Sequence, residues 1–138
     1  MKFISSEKGA AMVEFVIIAP ILIILVFGII ECGILLYDQA VITNASREGA
    51  RYGIVQATNR PTEAQIQNVV NAYCSTYLVN AGGISAPVTT APAAPCPGFA
   101  SDLTVTVIYH YDFLVLPGFI SSLIGGINLS AVTLMKCE

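Results

Sequence analysis

Charge is scarce in this chain of 138 residues. Only 11% of its residues are charged, against about 25% in an ordinary soluble domain. Something other than water must therefore solvate part of it. What charge there is leans acidic, with a formal net charge of -3, and lysines and arginines nowhere cluster. A nucleic-acid partner requires a basic face, so that class is excluded. Histidine occurs once, as His110, in no ligand-like spacing with cysteines or acids, and there is no glycine-rich phosphate loop. With neither a nucleophile–base pair nor a metal cluster in reach, the expectation is a chain without enzymatic activity, cofactor or metal site. Internal repeats and low-complexity tracts are also missing.

What the chain has instead is apolar length. Residues 10–37 read Ala-Ala-Met-Val-Glu-Phe-Val-Ile-Ile-Ala-Pro-Ile-Leu-Ile-Ile-Leu-Val-Phe-Gly-Ile-Ile-Glu-Cys-Gly-Ile-Leu-Leu-Tyr, and Phe15–Ile30 holds 16 residues without a charge. About 20 apolar residues as a helix cross a bilayer core of roughly 30 Å. Glu14 and Glu31 flank the uncharged run and would stand about 25 Å apart on a helix, one near each membrane face. The run is too long for a secretory signal, and no small-x-small cleavage site follows it. Cys32 is not a lipoprotein acceptor either, because the acidic Glu31 precedes it. Lys2 and Lys8 stand before the run, which places the N-terminus in the cytoplasm, although Arg47, Arg51 and Arg60 follow on the other side. Pro20 removes one backbone hydrogen bond inside this helix and favours a kink, which membrane helices tolerate. Glu31 is read as an interfacial acid, with contact to a partner helix as the sharper alternative.

The junction before the run carries the most information. Cutting after Gly9 would leave Ala10 as a new N-terminus, with Glu14 in fifth place and Phe15 after it. A carboxylate in an apolar helix is expensive and usually has a partner. The amine created at Ala10 of one subunit could pair with Glu14 of its neighbour and set their axial register, since an unpaired buried charge costs several kcal/mol. A glycine suits the cut, because a peptidase needs extended backbone in a tight cleft.

The order Lys8-Gly9, four residues, Glu14-Phe15 resembles the prepilin peptidase site of type IV pilin-like proteins. The resemblance continues through Ile17-Ile18-Ala19-Pro20, Phe27-Gly28-Ile29-Ile30-Glu31 and Tyr37. It extends into Asn44-Ala45-Ser46-Arg47-Glu48-Gly49-Ala50-Arg51-Tyr52. Together these segments are similar to TadE-like proteins of the tight-adherence (Flp) pilus system. The match is close over about residues 8–55 and looser at Leu116-Pro117-Gly118 and the C-terminal strand. The resemblance implies a minor pilin or pseudopilin that a prepilin peptidase processes and pilus assembly requires. Its partners would be that peptidase, other pilins and pilus-assembly membrane proteins, and the lipid bilayer. The major pilins of the system are much shorter, which argues against the main filament subunit.

Beyond the run nothing breaks the helix before Ala50, and Ile34, Tyr37, Val41, Ala45 and Tyr52 recur at roughly helical spacing as a packing face. Glu48 and Arg51 form an i,i+3 pair. Arg47, Glu48, Arg51 and Tyr52 are a candidate contact surface for other assembly components. Asn59-Arg60-Pro61 ends the helix, and Thr62 with Gln65 starts a second one through a capping box. Ile66, Val69, Val70, Tyr73 and Tyr77 form its apolar stripe as far as Leu78. Residues 81–98, rich in Pro, Gly, Ala and Thr, read as a loop. Leu103–Val107 alternates as a strand whose face Tyr109 and Tyr111 continue. Phe113–Ile127 is an apolar connector, and Asn128–Lys136 a second strand antiparallel to the first. Among the cysteines on the outer side, a bridge between Cys74 and Cys96 would close the Pro-rich loop, with Cys137 an alternative partner to either.

The reading is thus an α+β chain: a cleavable leader over 1–9, a transmembrane assembly helix over 10–37, and a small extracytoplasmic domain over 38–138 with a second helix and a short antiparallel sheet. The expected function is a pilin-like structural subunit in the bacterial inner membrane. The alternative is an uncleaved, membrane-anchored extracytoplasmic binding module or adhesin.

Overall fold

A computed structural model describes residues 6–55, 60–79, 87–90, 96, 98–115 and 125–138. Its dominant element is α1, Ser6–Ile54, a helix of 49 residues and so about 73 Å long. Helical assignment is uninterrupted through Pro20. The helix divides in two by its surroundings. From Gly9 to Ile30 no residue is buried, and the large apolar side chains stand open, with Phe15 at 70% and Ile29 at 64% exposure. From Glu31 onward one face is buried: Glu31, Asp38, Val41, Ile42, Ala45, Ser46, Gly49, Ala50 and Gly53 follow one another at three- or four-residue steps, with half-buried Ile34 and Leu35 between the two acids. Burial therefore begins at Glu31, seven residues before Asp38, where the domain was expected to start.

That buried face corrects the sequence reading. Val41 and Ala45 lie on it, but Tyr37 and Tyr52 are 48% and 41% exposed. The face consists largely of small and polar residues, which hydropathy alone does not pick out. Small residues are needed because the neighbours come close. A Cβ on Gly49 would stand 2.5 Å from Val70 Cγ2, and one on Gly53 would stand 2.5 Å from Leu103 Cδ2 and 2.8 Å from Ile66 Cδ1.

The neighbour is α2, Glu63–Tyr77, which begins where expected. Thr62 is its N-cap, and the reciprocal bonds with Gln65 complete the capping box, satisfying two otherwise orphaned N–H groups. Ile66, Val70 and Cys74 form its buried face. The helix stops at Leu78, which turns extended.

Three antiparallel strands form one sheet in the order β1-β2-β3: β1 is Val88–Thr90, β2 Asp102–Tyr111 and β3 Ile127–Lys136. The long pair runs in register from Asp102↔Lys136 to Tyr111↔Ile127. The alternation in β2 is real: Leu103, Val105, Val107, Tyr109 and Tyr111 are all buried because one face packs on the helices. β1 pairs Val88↔Ile108 through Thr90↔Thr106, inside the stretch read as loop. Three residues are too few to display a period of two. Of the connector Phe113–Ile127 and the Pro-rich stretch 81–98, residues 116–124 and 80–86, 91–95 and 97 lie outside the described residues.

The domain is thus two layers, with α2 and the C-terminal half of α1 laid on one face of the sheet. Ser46 Oγ donates to the Thr43 carbonyl at 2.9 Å and stands 2.7 Å from Thr133 Oγ1, so Thr133 is the donor to Ser46. This joins α1 to β3 through a polar pair inside the interface. Gln39 adds a bond to the Ser130 carbonyl at 3.0 Å.

The candidate assembly helix and its anchor

The expected junction residues all fall on the bare half of α1. Gly9, Ala10, Glu14 and Phe15 are exposed, and a Cβ at Gly9 would meet nothing within 4 Å. Glu14 has no hydrogen-bond or ion-pair partner among the described residues. The backbone at the junction is not extended as the sequence reading required: Gly9 and Ala10 sit inside α1, which starts at Ser6. A protease acting there must first unwind the initial turn. Glycine, about 1 kcal/mol poorer than alanine in a helix, makes that unwinding cheaper.

Arg47, Glu48, Arg51 and Tyr52 are exposed and point away from the buried Ser46, Gly49, Ala50 and Gly53. Glu48 and Arg51 make no ion pair among the described residues, in keeping with the small return of a solvent-exposed pair against side-chain entropy.

Glu31 is where structure and sequence reading part most clearly. Instead of turning out toward a partner helix, it is buried against its own domain, 2% exposed. Its Oε1 accepts from the Tyr111 hydroxyl at 2.5 Å and from the Leu114 N–H at 2.8 Å, and its Oε2 accepts from the Val115 N–H at 2.7 Å. Charge-assisted bonds of this kind are short and strong, and together they make the carboxylate a clamp from α1 onto the end of β2 and the turn after it. Burial, and then the bond to Glu31, push the Tyr111 hydroxyl above its ordinary range, so it stays a donor. Phe113 closes the site with an edge-on ring contact to Tyr111 at 6.1 Å.

Two helical turns further on, Asp38 occupies the same face and is fully buried. Its Oδ1 accepts from the Val79 N–H at 3.1 Å just past α2, while its Oδ2 is buried without a hydrogen-bond partner among the described residues. Burial pushes the Asp38 carboxyl up, and the Val79 N–H offsets part of that. Sequence reasoning missed Asp38, Gly49 and Gly53 as structural residues, and it put Tyr111 on a strand face without its bond to Glu31. The one signal was the seven-residue spacing of the two acids, which puts both on one helix face.

The cysteines also correct the reading. The disulfide joins Cys96 to Cys137, with Cα atoms 5.9 Å apart and 41 positions apart in sequence, and not Cys74 to Cys96. Cys74 is a free thiol within the core face of α2, where burial pushes it up to about 11. It therefore packs as a small hydrophobe. The backbone of Cys137 pairs with Ala100 and Ser101, so the C-terminal end is held at the start of β2, and Arg60 donates to the Cys96 carbonyl. Cys32 is a free, exposed thiol.

His110 lies on the outer sheet face, with Nδ1 at 2.7 Å from Asn128 Oδ1 and Nε2 at 3.3 Å from Asp112. Among the described residues, no three His, Cys, Asp or Glu are placed to hold a metal ion. The arrangement is built for packing: one apolar surface open to its surroundings, and one face clamped to a domain.

Comparison with known proteins bears on the helix. The family model described as TadE-like protein matches residues 9–51, from the junction glycine to the last turn of α1. No curated protein and no solved structure matches the chain. The similarity to TadE-like proteins thus lies in this long helix, half bare and half packed.

Proposed function

We propose that this chain is a pilin-like structural subunit, a minor pilin or pseudopilin, needed for tight-adherence pilus assembly or secretion. The single observation that carries the proposal is that the TadE-like stretch coincides with a helix whose N-terminal part, Gly9–Ile30, holds no buried residue. Twenty-two such residues span about 33 Å, enough for a bilayer core of roughly 30 Å, and all backbone groups of a helix are satisfied internally in lipid. In this reading the bare half sits in the bacterial inner membrane with its N-terminus cytoplasmic, and the domain lies outside. A prepilin peptidase removes residues 1–9. The bare surface then packs beside the helices of other pilins and assembly proteins, by close contact and not by hydrophobic drive, since lipid is as apolar as the helix. The carboxylate of Glu14 receives the new amine of a neighbouring Ala10. No reaction is performed.

The test is the mass of the mature protein from cells with and without a prepilin peptidase. Loss of the first nine residues only when the peptidase is present supports the proposal. A full-length chain in both cases supports the uncleaved binding module instead. In the same cells Glu14→Ala should be cut normally yet fail to support pili; normal piliation would remove the register role.

A further inference from the structure

We infer that the membrane-proximal end of the domain, the Leu114–Val115 turn together with the start of β3, lies in the boundary layer of the lipid bilayer and docks the domain on the membrane surface. The inference rests on the membrane-spanning reading of α1 and adds a second point of lipid contact to it.

Depth is the first argument. The stretch of α1 without a buried residue ends at Ile30, 46% exposed, and Glu31 follows at once, while Leu36 and Tyr37 carry exposed apolar surface further on the opposite face. If Gly9–Ile30 fills the hydrocarbon core, Glu31 stands at the outer interface. The second argument is the tether. Glu31 bonds to the N–H groups of Leu114 and Val115 at 2.8 and 2.7 Å, which holds the turn within one side chain's length of α1 at that depth. The strand pair has its other end high above: Leu103, at the start of β2, touches the Gly53 position, about 33 Å further along α1.

Chemistry supplies the third argument. From Phe113 to Ile127 the sequence carries no charged residue. Phe113, Leu114 and Val115 are half-buried, and Ile127, paired with Tyr111, is 39% exposed. Apolar surface continuous with a larger apolar surface marks a contact. Irregular backbone is also tolerated beside lipid only when its polar groups are already satisfied. The Glu31 carboxylate meets that condition for the N–H groups of Leu114 and Val115. A domain that merely stood off on its stalk would need neither the apolar turn nor a buried acid to position it.

The natural chain contains no tryptophan, so single tryptophans report position directly. The full chain carrying Leu114→Trp, Ile127→Trp, Leu22→Trp or Phe99→Trp would be placed in phosphatidylethanolamine–phosphatidylglycerol vesicles whose acyl chains are brominated near the headgroup or at mid-chain. Iodide would serve as the aqueous quencher. Phe99, 85% exposed beside the far end of β2, should be quenched by iodide alone. Leu22 should be quenched by mid-chain bromine alone, and failure there would overturn the membrane reading itself. Leu114→Trp and Ile127→Trp should lose most of their emission to bromine near the headgroup and little to iodide. With Leu22→Trp behaving as expected, quenching of both by iodide alone, or by neither agent, would overturn the docking. Adding Glu31→Gln to Leu114→Trp should move the quenching from lipid toward iodide; an unchanged pattern would refute Glu31 as the group that sets the depth.

Discussion

One methyl group at Gly49 sets two physical effects against each other with opposite signs. In a helix interior, replacing glycine by alanine should stabilise by about 1 kcal/mol through backbone entropy alone. The structure opposes this. The new Cβ would stand 2.5 Å from Val70 Cγ2, 3.5 Å from Ile66 Cγ2 and 3.7 Å from Val105 Cγ1, where carbons prefer about 3.5–4.0 Å. Val70 is fully buried and β-branched, so in a helix it is held to one rotamer and cannot swing aside; α2 itself must shift. Overpacking of this kind costs about 1–3 kcal/mol, so Gly49→Ala should destabilise by a net ~1 kcal/mol. For a domain near 100 residues, that lowers the melting temperature by about 4–8 °C. The assay is thermal unfolding of the full chain in detergent micelles, followed by near-ultraviolet circular dichroism of the tyrosines. Gly33→Ala, whose Cβ meets nothing within 4 Å, should be neutral or stabilising. Val70→Ala combined with Gly49→Ala should recover part of the loss, because the two sites share one contact. A Gly49→Ala protein as stable as the parent would refute the close approach of α1 and α2.

Other perturbations test the anchor, the bridge and the second acid. Glu31→Gln keeps the shape, but an amide offers one acceptor oxygen where the carboxylate offers two. It should strand the Val115 N–H and cost about 2–3 kcal/mol, read as faster amide hydrogen exchange at residues 114 and 115; unchanged protection would show that the clamp is dispensable. Cys137→Ser opens a loop of some 40 residues and should cost about 4 kcal/mol by chain entropy. Cys74→Ser should leave the bridge intact in non-reducing peptide mapping, and a lost bridge would contradict the pairing. Asp38 binds its proton more tightly folded than unfolded, because burial raises it from the ordinary 3.8. Its contribution is therefore most favourable below that value and is lost as pH rises through the raised one. Asp38→Asn should flatten this limb of the melting temperature against pH; an identical profile would show that the group does not titrate differently on folding.

The two helices and the two long strands were legible because each is written in local chemistry, whereas the three-residue β1 was not. The uncharged run Phe15–Ile30 can only be a buried or lipid-facing helix, Thr62 and Gln65 announce the start of α2, and the alternation from Leu103 to Tyr111 is a strand with one wet face. The TadE-like resemblance rested on residues within one helix and was equally accessible. The use of each face was a tertiary decision. Gly49 and Gly53 look like weak points in a helix until α2 arrives against them, because a missing side chain has value only beside a close neighbour. Glu31 looks like an acid at a membrane face until Tyr111, 80 residues away in sequence, and the N–H groups after it close around the carboxylate. The partner of Cys96 depended on where the end of β3 returned, not on which loop a bridge would shorten. Period and hydropathy report what one segment prefers by itself, whereas the burial of an acid, the need for a glycine and the pairing of a thiol are properties of two segments meeting.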